Sequence, residues 1–153
     1  MTPTVSVVTA HPRLLAAVRR EITLGQIGSA WREALDKVWA VLRSQPGLWT
    51  DGHNVFLYHH GKGRDAPMRV DFGVEVTRSF EATGEVKATH TPGGEVAQAI
   101  HVGPYERLGE THLAIHRWAA ENGKTFAGTS WEIYADPTPD PSKLQTTVAY
   151  LLV

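Results

Sequence analysis

Strand-favouring residues surround a single acid in the segment Ser130-Trp131-Glu132-Ile133-Tyr134-Ala135-Asp136. Trp, Ile and Tyr are enriched in β-strands, and the Pro and Asp residues between positions 136 and 141 end the strand. An acid on the solvated face of such a strand needs no functional explanation. The direction in which Glu132 points therefore decides whether this residue carries a function.

The chain aligns with itself in two pairs of strands. Residues 55–58 correspond to residues 131–134 at an offset of 76, and residues 71–76 correspond to residues 147–152 at the same offset, with no gap. The same hairpin spacing therefore occurs once in each half of the chain, which indicates an internal repeat.

Each hairpin is preceded by a strand and a helix. In the first half, residues 14–22 are strand-like and residues 27–42 carry apolar residues at helical spacing. In the second half, residues 96–102 are strand-like and residues 108–120 correspond loosely to the first helix, at an offset nearer 80. Each half therefore reads as strand, helix, strand, strand.

These elements predict one α+β domain over residues 1–153. Its two pseudo-symmetric repeats, about residues 4–76 and 85–153, would join in an antiparallel sheet and leave a cleft where the halves meet, a common place for a ligand. Phe56 and Glu132 occupy equivalent positions in the two repeats. If these positions face the cleft, one acid lies in an aromatic cavity.

Composition excludes several classes of function. A net charge of −1 over 153 residues gives no electrostatic footprint for DNA or RNA. The absence of cysteine excludes disulfides, thiolate metal sites and thiol nucleophiles. No apolar run approaches the ~18 residues of a membrane span, and residues 1–10 lack the features of a signal peptide. We therefore expect a cytoplasmic protein with no direct contact to nucleic acid or membrane.

Other motifs indicate ordinary structural roles. His112 and His116 have the spacing of a zinc pair, but without an HExxH motif or a nearby third ligand we interpret them as polar-face or boundary residues. Residues 60–65 resemble part of a phosphate-binding loop but lack the remaining Walker or Rossmann positions, so we predict a hairpin loop. No GxSxG elbow or Ser-His-Asp arrangement is recognisable. We expect neither a metal nor a cofactor.

The second half resembles a known family, the GyrI-like small-molecule-binding family, also called the AraC-type or bacterial transcription-activator effector-binding domain. The resemblance is carried by the order and spacing of Ala99-Ile100-His101-Val102-Gly103-Pro104-Tyr105-Glu106, Trp131-Glu132-Ile133-Tyr134, Asp136-Pro137 and Thr146-Thr147-Val148. It extends over essentially the whole chain and is most specific from Pro92 onward. The family fold is a pair of strand-helix-strand-strand repeats, which agrees with the repeat described above.

The resemblance implies that bulky, often aromatic and cationic compounds bind in the cleft between the repeats. In multidrug-sensing members, a buried glutamate in the matching strand pairs with the positive charge of the ligand, and Glu132 occupies that position. Aromatic faces would add stacking and cation–π attraction. Beside Glu132, strand parity adds Tyr134, the partner strand adds Tyr150, and the pseudo-symmetric positions add Phe56 and Tyr58 as candidate ligand-binding residues. Trp39, Trp49 and Tyr105 are further candidates.

The leading hypothesis is a stand-alone domain, without a helix-turn-helix region, that binds lipophilic cationic small molecules in drug sensing or sequestration. One alternative is an enzyme, because some family members hydrolyse reactive cyclopropane-bearing natural products; Glu132 would activate a water and Tyr134 or Tyr150 would assist. A second alternative is a partner protein of a regulator or of DNA gyrase, after which the family is named. In a third, Glu132 is solvent-exposed or paired with an arginine and binds no ligand.

Overall fold

Eight strands and two α-helices make up the described part of the chain, residues 3–61 and 66–153, in a computed structural model. The loop predicted over residues 60–65 falls mostly on residues 62–65, which lie outside the described residues. The elements are β1 (Ser6–Ala10), β2 (Leu14–Ile22), α1 (Ile27–Ser44), β3 (Asn54–His59), β4 (Met68–Glu75), β5 (Val86–His90), β6 (Gly94–Val102), α2 (Leu108–Glu121), β7 (Phe126–Tyr134) and β8 (Gln145–Leu152).

All the strands belong to one antiparallel sheet, in the order β1-β6-β8-β7-β3-β4-β2-β5. The first repeat is β2-α1-β3-β4 and the second is β6-α2-β7-β8, so the predicted fold class is confirmed. The repeats meet where β3 pairs with β7. Phe56 and Glu132, which are equivalent in the repeat, lie directly opposite each other in that pair, and the pseudo-two-fold axis therefore passes between them.

The two strands that precede the repeats are exchanged between the halves. β1 pairs with β6 of the second repeat, and β5 pairs with β2 of the first. In a flat sheet β1 and β2 would lie six strand spacings apart, or ~29 Å. The linker of residues 11–13 that joins them spans at most ~14 Å. The sheet must therefore curl. Arg13 of this linker and Thr91 of the linker between β5 and β6 hydrogen-bond to each other where the ends of the sheet approach.

Curling gives the sheet an inner and an outer face with separate cores. The inner core is formed by Leu15, Ala17, Val55, Leu57, Val96, Trp131 and Ala149. On the outer face, α1 covers the first repeat through the apolar stripe that the sequence predicts, with Leu35, Val38 and Leu42 buried. α2 covers the second repeat through Ile115. The two helices leave the centre of the outer face, above β3 and β7, open between them.

The strands and helices differ from the predicted boundaries where local turns intervene. β7 begins at Phe126, four residues before the predicted start, with a register irregularity between Phe126 and Ser130. Tyr105–Arg107 forms a 3₁₀ turn ahead of α2, and Pro141–Lys143 forms another ahead of β8. Among the described residues, no helix is both long enough and apolar enough to cross a bilayer.

Asp71 is a buried carboxylate on the inner face of the sheet. Arg19 donates to it from Nε at 2.8 Å and from a terminal nitrogen at 3.1 Å, and His59 Nε2 lies 3.0 Å away. Burial opposes ionisation of Asp71, but these partners outweigh it and the pKa of the carboxyl lies below its usual value. Asp71 is therefore a paired structural acid, on the opposite side of the sheet from Glu132.

Gly52, in the turn before β3, packs closely against the backbone at the end of β4. A Cβ built there would lie 2.1 Å from the backbone oxygen of Glu75, which cannot yield without moving β4. We expect Gly52→Ala to lower the free energy of unfolding by about 1–3 kcal/mol, measured by urea denaturation. Gly28→Ala is the matched control, because no atom lies within 4 Å of its Cβ position. An equal loss in both variants would contradict this assignment.

Candidate functional site

A cavity of about 820 Å³ occupies the open centre of the outer face. Its size is in the range of small-molecule sites. The start of α1 and the inward side of α2 form its two walls, and strands β3, β7 and β8 form its floor. The lining residues are Leu24, Ile27, Tyr58, His60, Gly61, Ala66, Met68, Leu108, Gly109, His112, Leu113, His116, Phe126, Gly128, Thr129, Ser130, Glu132, Tyr134 and Tyr150.

Strand alternation places Glu132 at the floor of this cavity. Its neighbour Trp131 belongs to the inner core, so Glu132 projects to the outer face, where it is only 4% exposed. Tyr58 and Tyr134 both donate their hydroxyls to Glu132 Oε1, at 2.5 and 2.6 Å. These tyrosines correspond in the two repeats, so the pseudo-symmetry supplies one donor from each half.

The second carboxylate oxygen is bound by a histidine of α2. His112 Nε2 lies 2.6 Å from Glu132 Oε2, and His112 Nδ1 lies 2.7 Å from the hydroxyl of Tyr150. An ionised carboxylate only accepts, so Nε2 carries the proton in this contact. The result is a continuous chain of hydrogen bonds from carboxylate to imidazole to phenol, which His116 Nε2 extends at 3.3 Å from the Tyr150 hydroxyl.

These contacts keep Glu132 ionised although it is buried. Burial raises the cost of the charged form, but the hydrogen bond and charge of His112 and the hydroxyls of Tyr134 and Tyr58 outweigh it, and the pKa of Glu132 lies below its usual value. Burial and the adjacent carboxylate raise the pKa of Tyr58 and of Tyr134 well above the ordinary value. The two phenols therefore remain donors at neutral pH.

Two further histidines line the cavity without contacting Glu132. His60 Nε2 lies 2.6 Å from the hydroxyl of Ser130, and its ring stacks near Tyr150 with centroids 6.0 Å apart. Burial, followed by the charge of His112, lowers the pKa of both His60 and His116. Both rings therefore favour the neutral form and present polar edges to a ligand.

The structure brings four of the eight candidate residues together. Glu132, Tyr134, Tyr150 and Tyr58 line the cavity. Phe56 lies behind this layer, 6% exposed, with its ring 4.9 Å from that of Tyr134. Tyr105 contacts Tyr134 edge to face, with ring centroids 5.5 Å apart. Phe56 and Tyr105 are therefore supports of Tyr134 and do not line the cavity.

Trp39 and Trp49 lie outside the cavity. They contact each other edge to face with centroids 5.0 Å apart, and the Trp49 indole donates to the Gly52 carbonyl at 2.8 Å. The cavity reaches α1 only at Ile27. Trp39 is twelve residues further along the helix, which corresponds to ~18 Å. Trp39 and Trp49 therefore do not line the cavity in which Glu132 lies.

His112 is the site residue that sequence reasoning missed. The sequence indicates a polar-face or boundary residue at this position, and it offers solvent or an arginine as the partner of Glu132 if no ligand binds. Its position next to Thr111 and one turn from Ile115, both buried, indicates the sheet-facing side of α2. Its contact with Glu132 depends on how α2 packs on the sheet, which no local pattern shows. In the described part of the chain, no group of three or more His, Asp or Glu residues is arranged to hold a metal.

The two repeats, the shared curled sheet and the cavity between the helices define an α+β domain of the ligand-binding type. The family model of the GyrI-like small molecule binding domain matches residues 3–151, and the chain belongs to this family. No curated protein sequence matches the chain significantly.

Solved structures share this fold over nearly the full chain. The EcmrR C-terminal domain is 19% identical with a TM-score of 0.82, covering 100% of this chain and 99% of that one. SAV2435 bound to tetraphenylphosphonium is 9% identical with a TM-score of 0.72, covering 98% and 94%. A hydrolase encoded by lin2189 from Listeria innocua is 15% identical with a TM-score of 0.68, covering 99% and 93%. At these identities the likeness establishes the fold.

Proposed function

We propose that the chain forms one domain that binds bulky, lipophilic, aromatic cations in the cavity between α1 and α2, in drug sensing or sequestration. The observation that carries this proposal is the buried carboxylate of Glu132 on the floor of an aromatic cavity. Among the described residues, its hydrogen-bond partners are two neutral phenols and one histidine, with no lysine or arginine. No fixed cation among these described residues therefore neutralises the acid permanently.

Physical chemistry favours a cation in this setting. A buried carboxylate has lost much of its hydration, and a positive charge near it recovers part of that cost. The faces of Tyr58, Tyr134 and Tyr150 add cation–π attraction, about 1–2 kcal/mol for a desolvated pair. An aromatic floor imposes little shape selection, so the ligand is selected chiefly by size, apolarity and charge.

The relatives support the same class of ligand. SAV2435, which shares the fold, was solved with tetraphenylphosphonium bound, and this compound is both aromatic and cationic. We propose the same class of ligand for this chain because Glu132 offers a carboxylate in the cavity. The suggestion of a regulator or gyrase as a partner stays a prediction.

A titration of the wild-type protein tests the proposal. Tetraphenylphosphonium is the cation, and triphenylphosphine oxide is a neutral aromatic compound of related shape. We expect saturable quenching of tryptophan fluorescence by the cation, with an affinity at least about tenfold higher than for the neutral compound, which corresponds to about 1.4 kcal/mol. Equal affinity for the two compounds, or no saturation by either, would contradict the proposal.

A hydrolase is the second candidate, and the Glu132–His112–Tyr150 chain of hydrogen bonds favours it. A carboxylate, an imidazole and a hydroxyl in series can hold and transfer a proton. The lin2189 protein, which shares the fold, is described as a hydrolase. Mass spectrometry of a reactive cyclopropane substrate incubated with the protein separates the two functions. Catalytic hydrolysis that is absent in Glu132→Gln supports an enzyme, whereas stoichiometric binding without product supports the binding function.

A further inference from the structure

The contact between His112 and Glu132 has a consequence for how a cation enters the site. Glu132 Oε1 already accepts from two phenols, and Oε2 accepts from His112 at 2.6 Å. The phenols bring no charge. Among the described residues, His112 is the one group in contact with Glu132 that can become positively charged near neutral pH. It is therefore an internal counter-ion that can be switched on and off by a proton.

The surroundings of His112 accept either protonation state without moving a heavy atom. On its Nδ1 side lies the hydroxyl of Tyr150, at 2.7 Å. A hydroxyl rotates, so it donates to Nδ1 of the neutral ring and accepts from Nδ1–H of the imidazolium. On the Nε2 side the carboxylate accepts in both states. Neither form leaves a buried donor or acceptor unpaired at this ring.

Among the described residues, the titratable groups that face His112 come from three elements besides its own helix. β7 contributes Glu132 and Tyr134, β8 contributes Tyr150, and β3 with the residue after it contributes Tyr58 and His60. α2 itself contributes His116. Burial and the adjacent carboxylate raise the pKa of the three tyrosines, while burial and the charge of His112 lower the pKa of His60 and His116. Near neutral pH, the three tyrosines, His60 and His116 therefore favour their neutral forms.

His112 also lies where a ligand must pass. Its side chain is 23% exposed and lines the cavity, while that of Glu132 is 5% exposed beneath it. A ligand cation that approaches Glu132 therefore comes within a few ångströms of the imidazole. Two positive charges at that separation repel in a desolvated site. A cation and the imidazolium thus compete for one carboxylate.

Building on the proposed function, we propose that a cationic ligand replaces the proton of His112 as the counter-ion of Glu132, so that binding releases one proton. His112 then sets the affinity of the site for cations. The sign follows from the competition: affinity is low where His112 of the free protein is protonated, rises with pH, and becomes constant once the ring is neutral. At the acidic end, the hydrogen bond and charge of His112 themselves lower the pKa of Glu132, so the carboxylate is ionised while the imidazolium is its counter-ion.

Isothermal titration calorimetry with tetraphenylphosphonium tests the inference, because this cation has no proton of its own to gain or lose. Between about pH 5 and 8, where histidine ordinarily titrates, we expect the wild-type dissociation constant to fall as pH rises. The limiting slope for one proton is about tenfold per pH unit. At one pH within the sloping range, titrations in phosphate and in Tris, whose ionisation enthalpies differ, should report release of up to one proton.

Two histidine variants locate the proton. His112→Gln should bind the cation with little dependence on pH and without proton release, and it should bind more tightly than wild type at the acidic end. His116→Gln, altered one turn away on the same wall, removes a ring that also lines the cavity and can therefore shift the affinity itself, but the slope and the proton release should remain. Circular dichroism at each pH checks that the variants are folded.

The outcomes separate the inference from the function on which it rests. Saturable wild-type binding with the same affinity at every pH and no proton release would overturn the inference and leave the binding function intact. A slope that survives in His112→Gln and disappears in His116→Gln would also overturn it. Failure of the wild-type protein to bind the cation at any pH would overturn both.

Discussion

Glu132→Gln should weaken the binding of tetraphenylphosphonium by about 30- to 150-fold. Removal of one charge from a buried, hydrogen-bonded charge pair costs about 2–3 kcal/mol at the lower end of measured cases. The amide has nearly the same shape as the carboxylate, so the aromatic contacts remain. Binding of the neutral triphenylphosphine oxide should therefore change by less than about threefold, or about 0.6 kcal/mol. Fluorescence titration of both ligands against both proteins measures the difference.

Asp71→Asn is the matched control for this variant. It also converts a buried carboxylate into an amide, but Asp71 lies on the inner face with Arg19 and His59 as partners. We expect it to lower the free energy of unfolding and to leave the affinity for the cation unchanged. A similar loss of cation affinity in both variants would mean that general damage to the fold, and not the charge at Glu132, explains the effect.

Trp131→Ala should lower the free energy of unfolding by about 3–5 kcal/mol, the usual cost of removing a buried aromatic side chain. Trp131 is 3% exposed and lies in the inner core between the central strands, where no helix can move in to fill the space. Urea denaturation monitored by circular dichroism measures the loss, because this variant also removes one of the fluorescent tryptophans.

Neighbouring residues of one strand should thus give opposite results. At a temperature below the unfolding transition of the variant, Trp131→Ala should bind the cation within about threefold of wild type, since its side chain lies on the other side of the sheet. Glu132→Gln should lose affinity. If Trp131→Ala lost affinity as strongly while still folded, the separation of the inner core from the outer cavity would be wrong.

The repeat explains why so much of the fold could be predicted. A shared offset of 76 places Phe56 opposite Glu132 as soon as the two hairpins are assumed to meet, and the register of β3 against β7 shows this pairing. Alternation then puts Tyr58 and Tyr134 on the same face as the acid. Tyr150 follows from the partner strand. These inferences need only local periodicity and symmetry, which a single sequence contains.

The remaining features depend on tertiary geometry that local patterns do not specify. The position of Trp39 on α1 is apolar and half-buried, yet the cavity lies near the other end of that helix. His112 reaches Glu132 because of how α2 packs on β8. The exchange of β1 and β5 between the repeats depends on long-range pairing. The local sequence does not determine it, since either strand could equally extend a flat sheet. In each case the residue types were compatible with several arrangements.

A crystal structure of the protein with tetraphenylphosphonium bound would show whether the cation binds beside Glu132. We expect the phosphonium centre to lie between α1 and α2, within about 6 Å of the ring centre of Tyr58, Tyr134 or Tyr150, with Glu132 as the nearest carboxylate. A ligand on the inner face beside Asp71, or against Trp39 and Trp49 with the cavity empty, would contradict this expectation.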